Sequence, residues 1–347
     1  MGTEEKDNTA DLLINETVYS EVTAYVFSSF RRSRAVMKWM KLMLSCVLCM
    51  TMTACTKNNI KTNTDTSSVE TDDSDYHTYV VDGKEYSYNS HLMNFLITGV
   101  DTRDAEGGQS DFILLLSFDR ENDQYRILQL DRSAYVDIKL YDAEHNFLGW
   151  DKSYLALSYA YGTSTKQSTL YTKDAVSRLL NNIPITYYMT LSLDDLPKIQ
   201  DVVGPIQVEV VDDLLVEVNP EWTKGSMATV DASNVEQFIR YRNTDISGSN
   251  EIRMERQKEY LNTYLSIMKD MINSDFDKTL DRVSDVAEEV YTNVELSEIS
   301  DILDMITEYT FDDIYQLPGE VVQGKFRTQF NIDDDQLPYL IKDLYYK

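Results

Sequence analysis

The sequence predicts an α/β fold: a central mixed β-sheet flanked by helices on both faces, in three α-β-α layers. Three observations carry this prediction. Short apolar runs joined by polar turns, at about 94–100, 111–119 and 125–131, read as strands. Later strand patterns are separated by stretches of helical length, which implies crossover connections over a sheet. After the N-terminal region, about 250 residues run on without a clear linker, which favours one domain.

In chain order, His77–Tyr88 reads as a strand–Asp82-Gly83–strand hairpin. The three central strands follow. Residues 153–161, rich in Tyr and Ala, read as a helix ended by Gly162. Thr172 is expected to cap a helix over 173–182. The run after Pro184 reads as a strand, 194–203 as a short helix ended by Gly204, and 206–211 as another strand. Ser233 and Glu236 have the spacing of a capping box, before a helix ending near Tyr241. A long helix over 251–274 places Leu261, Tyr264, Leu265, Met268, Met271 and Ile272 on one face. Two or three more helices, broken at Pro318-Gly319, complete the chain.

The N-terminal region reads as an export segment. Arg31, Arg32, Arg34, Lys38 and Lys41 precede the uncharged run Leu42–Cys55. That run is shorter than the roughly 20 residues a spanning helix needs, and it fits a signal-peptide core. Its end, Met52-Thr53-Ala54-Cys55, resembles a bacterial lipobox, so Cys55 is the expected lipidation site. An uncleaved N-terminal membrane anchor is the alternative. Met37 begins a more conventional signal than Met1, and Lys6 breaks a myristoylation motif. The organisation expected is an extension and signal over 1–55, a polar tether over 56–76 and a domain over 77–347. Within that domain the core is 94–274 and the C-terminal helices 275–347. The mature chain is expected at the outer face of the cytoplasmic membrane.

With 32 basic and 59 acidic residues, the net charge is −27. That argues against general binding to nucleic acid or to an anionic surface. An anionic ligand needs a local basic cluster. The cysteines, Cys46, Cys49 and Cys55, all lie in the export segment, so neither a disulfide framework nor a zinc constellation is available to the domain. His77, His91 and His145 are scattered, and Asp333–Asp335 lacks the spacing of a calcium loop.

Chemistry concentrates at strand and helix ends. Asp101 follows the first central strand and Asp111 opens the second, so antiparallel pairing would put both carboxylates on one rim. Two close carboxylates repel unless a proton or cation lies between them. Mg²⁺ is the natural cation for hard oxygen ligands shared with substrate phosphate. The alternative is that they are loop acids stopping two strands. Arg132 follows the third strand, Arg240 and Arg242 end the short helix, and Arg253, Arg256 and Gln257, spaced i, i+3 and i+4 at the first turn of the long helix, are expected on one face. Guanidinium forks match phosphate oxygens, and a helix N-terminus adds free N–H groups. Ion pairing on the surface is the alternative.

In order and spacing, the segments Asn94–Asp101 with Arg103, Gln109-Ser-Asp111, Leu130-Asp-Arg132, Ser158–Gly162, Phe238-Ile-Arg-Tyr-Arg242 and Arg253-Met-Glu-Arg256-Gln257 resemble the LytR–CpsA–Psr (LCP) family. The resemblance spans about Asn94 to Met271 and extends to the C-terminal helices. It implies a sheet between helices with a long apolar groove for a lipid. It also implies a phosphotransferase that moves a glycopolymer, such as teichoic acid or capsule, from a polyprenyl-pyrophosphate carrier to peptidoglycan. Asp101 and Asp111 would hold Mg²⁺; Arg103, Arg132, Arg240, Arg242, Arg253, Arg256 and Gln257 would bind pyrophosphate. Asp101, Asp111 and Arg132 would be catalytic, and no ATP is needed because the pyrophosphate bond supplies the energy.

The chain also departs from the family pattern. Gln109 stands where many members have Arg, Ser133 where many have Asp, and Ile252 replaces a Gly. These departures motivate two alternatives: a degenerate module that binds lipid-linked or anionic wall polymer without turnover, and a polyprenyl-pyrophosphate hydrolase. The segments Tyr154–Tyr161, Tyr187–Met189 and Tyr260–Met271 read as core, or as the lipid slot.

Overall fold

The computed structural model describes residues 77–101, 108–246, 248–324 and 328–347. The export segment with Cys55, the tether and Arg103 lie outside the described residues.

Strand β1 (Thr78–Val81) pairs with β2 (Lys84–Ser87) around Asp82-Gly83, both in left-handed conformations. Next come β3 (Leu92–Val100), β4 (Ser110–Asp119) and β5 (Gln124–Leu130), close to the predicted limits. They form the antiparallel centre of a six-stranded sheet. Strand β8 (Tyr187–Ser192) joins β3 in parallel, and β11 (Tyr291–Thr292) lies outside it. Strand β12 (Thr310–Gln316) joins β5 in parallel. The sheet is therefore mixed, as the crossover lengths imply.

Alternation along the central strands feeds two cores. Leu96, Ile113, Leu115 and Leu128 point to one face. They pack on Ala175 and Val176 of α1 (Thr165–Leu179) and on Ile341 and Leu344 of α7 (Leu337–Tyr345). Phe95, Leu114, Leu116 and Ile127 point to the other. There they meet α4 (Ser249–Ser274), α5 (Phe276–Glu289) and α6 (Leu296–Glu308). Period-2 strands with both sides apolar require cover on both faces. A smaller core joins β9 (Ile206–Glu209), β10 (Met227–Val230) and α3 (Val235–Arg240), centred on Trp222 and Phe238. Helix α2 (Leu196–Val203) ends at Gly204, where φ is 75°.

Several expected elements are corrected. Residues 153–161 are the end of a strand and a 3-10 helix, Leu155–Tyr161. That strand, β7 (Phe147–Tyr154), pairs with β6 (Tyr135–Tyr141) in a hairpin the sequence reading missed. Helix α1 starts at Ser164, whose Oγ accepts from Gln167 N–H at 3.3 Å. Thr172 does not cap it. Its buried hydroxyl donates to Ser168 C=O at 3.2 Å inside the helix. Polar residues that bond inward hide the apolar period of this helix. Ser233 makes no capping box either, because its Oγ donates to Asp231 at 2.6 Å. The C-terminal part is not purely helical. It supplies β12 to the sheet and a hairpin of β13 (Gly319–Gln323) and β14 (Thr328–Ile332).

Candidate functional site

The site lies where β3 ends and β4 begins. The pairing Gly99↔Phe112 is followed by Val100↔Ser110, so Asp111 is the extra residue of a β-bulge. A bulge re-aims the side chain it carries. Glycine suits position 99 because an added Cβ would stand 3.2 Å from Phe112 Cβ. The bulge turns the Asp111 carboxylate toward Arg132, whose Nε lies 2.9 Å away, and Arg240, whose Nη2 lies 3.5 Å away. The same Arg240 nitrogen is 2.8 Å from Asp101, while its Nη1 bonds Glu236 at 2.7 Å. The two predicted aspartates thus share one guanidinium, delivered by the last turn of α3.

Arg132 also donates to Gln109 Oε1 at 2.6 Å. The side chain that stands in place of an arginine thereby orients another arginine. Ser133 donates through its N–H and its hydroxyl to Asp131, both at 2.6 Å. Asp131 is buried and also accepts from Asn250 Nδ2 at 2.8 Å, tying the end of β5 to the start of α4.

Arg253 is 5% exposed. Among the described residues its side chain makes one hydrogen bond, from Nη2 to Asn250 Oδ1 at 2.5 Å, and its Nε is buried without a partner. Burial first, then the charges of Arg242 and Arg132, lower its pKa to about 10. Three guanidinium groups therefore crowd together in a strongly acidic protein. Arg242 makes no ion pair among the described residues. Gln257 donates to Ile239 C=O at 3.1 Å and accepts from Gln129 at 3.1 Å. Glu251, in the first turn of α4, has both carboxyl oxygens buried without a hydrogen-bond partner among the described residues. Burial, and then Asp131, push its pKa up.

Arg256 corrects an expectation. It is fully buried and forks onto Asp212 at 2.7 and 3.0 Å, and Nη1 donates to the Phe238 and Tyr241 carbonyls. Around the helix axis, 257 lies about 40° to one side of 253 and 256 about 60° to the other. That rotation aims Arg256 at a brace behind the site, away from the other arginines.

Asp111, Arg240, Arg253 and Gln257 form the polar end of a cavity of about 300 Å³. The rest of its lining is almost wholly apolar, between the sheet and helices α2, α4, α5 and α6. Met189, Tyr260, Tyr264 and Met268, from two of the Tyr- and Met-rich segments, face it. The third segment packs against the opposite side of the sheet, through Leu155. Among the described residues no group of three or more His, Cys, Asp or Glu converges. Among the described residues, a cation here would have the aspartate pair as its carboxylate ligands. That oxygen set suits Mg²⁺ completed by phosphate and water, and Arg240 already shows that the pair accepts positive charge.

A mixed sheet between helix layers, with an apolar cavity closed by acids and arginines, defines an α/β protein built around an amphiphile-shaped site. The chain belongs to the LytR_cpsA_psr family, whose model matches residues 35–339. It is similar to the polyisoprenyl-teichoic acid–peptidoglycan teichoic acid transferase TagT of Bacillus subtilis, 23% identical over 272 residues. Those residues are 75% of this chain and 78% of that protein. TagU of Bacillus cereus, described by the same transferase name, is 28% identical over 119 residues, 34% of each chain. Among solved structures, TagT bound to LI-WTA has a TM-score of 0.56 at 22% identity, over 77% of this chain and 95% of that one. B. subtilis TagV has a TM-score of 0.57 at 20% identity, over 73% and 96%. These likenesses establish the fold.

Proposed function

We propose that the protein transfers a glycopolymer phosphate from a polyprenyl-pyrophosphate carrier to peptidoglycan, at the outer face of the cytoplasmic membrane, assisted by Mg²⁺. The observation that carries this reading is the cavity: an apolar slot ending on Asp111, Arg240, Arg253 and Gln257 fits a lipid with an anionic head. The transferase names of TagT and TagU support the same chemistry, and the lipidation expected at Cys55 would keep the site beside its substrate.

In this reading the lipid tail lies along Met189, Tyr260, Tyr264 and Met268. Arg132, Arg240, Arg242 and Arg253 clamp the pyrophosphate, with Arg103 as a further expected ligand. Asp101 and Asp111 would hold Mg²⁺, which neutralises charge on the phosphate oxygens. The acceptor hydroxyl attacks the phosphorus that carries the glycan. The P–O bond to the carrier breaks, and polyprenyl phosphate leaves. The acceptor proton would pass to Asp101 or Asp111, the two carboxylates gathered at the Arg240 guanidinium. Positioned arginines stabilise the charge that develops in this transfer.

The exported part, incubated with polyprenyl-pyrophosphate-linked glycan, peptidoglycan and Mg²⁺, is expected to release polyprenyl phosphate. Asp111→Ala is expected to abolish release; equal release by this variant would remove Asp111 from the reaction. A binding module without turnover is the second reading. Gln109 favours it, because a neutral amide occupies a position where many family members carry a cation. Tight binding with no release at any Mg²⁺ concentration would select it. Release that proceeds without peptidoglycan, with no polymer joined to it, would select a hydrolase.

A further inference from the structure

The anion-facing arginine at the start of α4 is held by an amide. Arg253 Nη2 donates to Asn250 Oδ1 at 2.5 Å, and Asn250 Nδ2 donates to Asp131 at 2.8 Å. Asp131 is in turn fixed by the N–H and hydroxyl of Ser133. The amide is oriented uniquely: only its oxygen can accept from a guanidinium, and only its nitrogen can donate to a carboxylate. We propose that Asn250 is a positioning residue that aims Arg253 into the cavity and separates it from Asp131, leaving the guanidinium charge for a bound pyrophosphate. The inference rests on the phosphotransferase reading for the identity of the anion, and on this chain's own hydrogen bonds for the positioning.

Physical reasons favour an amide at this place. A carboxylate at 250 would pair with Arg253 directly and compete with any incoming anion. A small apolar residue would leave Asp131 one donor short and would leave Arg253 no hydrogen-bond partner among the described residues. The Arg253 Nε, buried without a partner among the described residues, stays available because no described carboxylate forks onto it. Arg256, one turn along, has the opposite arrangement, with Asp212 taking two of its nitrogens.

The test uses the full chain, with geranylgeranyl pyrophosphate as probe, and compares Asn250→Ala, Asn250→Asp and the exchange D131N/N250D. Binding is followed by titration calorimetry. Side-chain ¹⁵N NMR of Arg253 reports restrained rotation of the guanidinium, and thermal denaturation reports folding. Asn250→Ala is expected to stay folded, to bind about tenfold more weakly because the ligand must then order the Arg253 guanidinium itself, and to lose the restrained Arg253 signals. Asn250→Asp is expected to bind weakly, because the new carboxylate faces Asp131 and neutralises Arg253. The exchange rebuilds the chain of bonds. An amide at position 131 donates to a carboxylate at position 250, which accepts from Arg253, so the restrained signals return. Its binding stays below wild type, because the acceptor of Arg253 is now charged. Unchanged Arg253 signals in Asn250→Ala, or unrestrained Arg253 signals in the exchange, would overturn the positioning. Restrained signals with wild-type binding in Asn250→Asp would overturn the need for a neutral residue. Failure of the wild type to bind the probe would count against the phosphotransferase reading, and the NMR comparison would still decide the positioning.

Discussion

Arg253 and Arg256 sit three residues apart on one helix, and both are buried. Arg256 is satisfied by a carboxylate fork and two carbonyls. Arg253 has one amide partner, a buried bare Nε and two cationic neighbours. Burial therefore does not distinguish a binding arginine from a structural one; the state of its donors does. A guanidinium with its donors met holds α4 to α3 and the Asp212 loop. One with donors unmet, at the end of an apolar cavity, is left able to take the anion that the proposed function requires.

The largest effect expected from this contrast is on stability. Arg256→Ala leaves Asp212 buried without its cation and is expected to cost about 3–5 kcal/mol, read by urea denaturation. Arg253→Ala should leave stability unchanged or slightly raised, because it removes an under-paired buried charge. Its transfer rate should fall by about 10²–10³-fold. If Arg253→Ala unfolded the protein and Arg256→Ala did not, the two roles would have to be exchanged.

Two smaller effects probe the surroundings. Gln109→Arg adds a cation beside Arg132 and is expected to tighten lipid-pyrophosphate binding a few-fold. No change would mean that position 109 does not face the head group. Glu251→Gln should raise the melting temperature modestly at neutral pH. Its folded pKa lies above the ordinary value of 4.5, so the group favours the fold below that value. The contribution is lost as pH rises through the folded value, where an unpartnered carboxylate must be buried. The difference between variant and wild type should vanish at about pH 4, where the carboxyl is protonated in the fold.

Much of this was legible in the sequence. The central strands were visible because both of their sides are apolar, and the aspartates because they interrupt those strands at one rim. Helix ends named the arginines, although spacing alone could not separate Arg253 from Arg256. That distinction depends on Asp212, 44 residues from Arg256 in the chain, and on backbone carbonyls, which carry no sequence signal. The start of α1 was hidden by its inward-bonding hydroxyls, and the β6–β7 hairpin by a run of charges among its aromatics. Asn250 gave no warning either, since a single amide acquires a role only when the fold joins it to Asp131 and Arg253.

The most direct test is the fate of a labelled glycan supplied on polyprenyl pyrophosphate with Mg²⁺ and peptidoglycan. Label joined covalently to peptidoglycan by the wild type, and not by Arg253→Ala, is the expected result. Label that stays on the lipid while the wild type binds it tightly would contradict transfer as the function of this site.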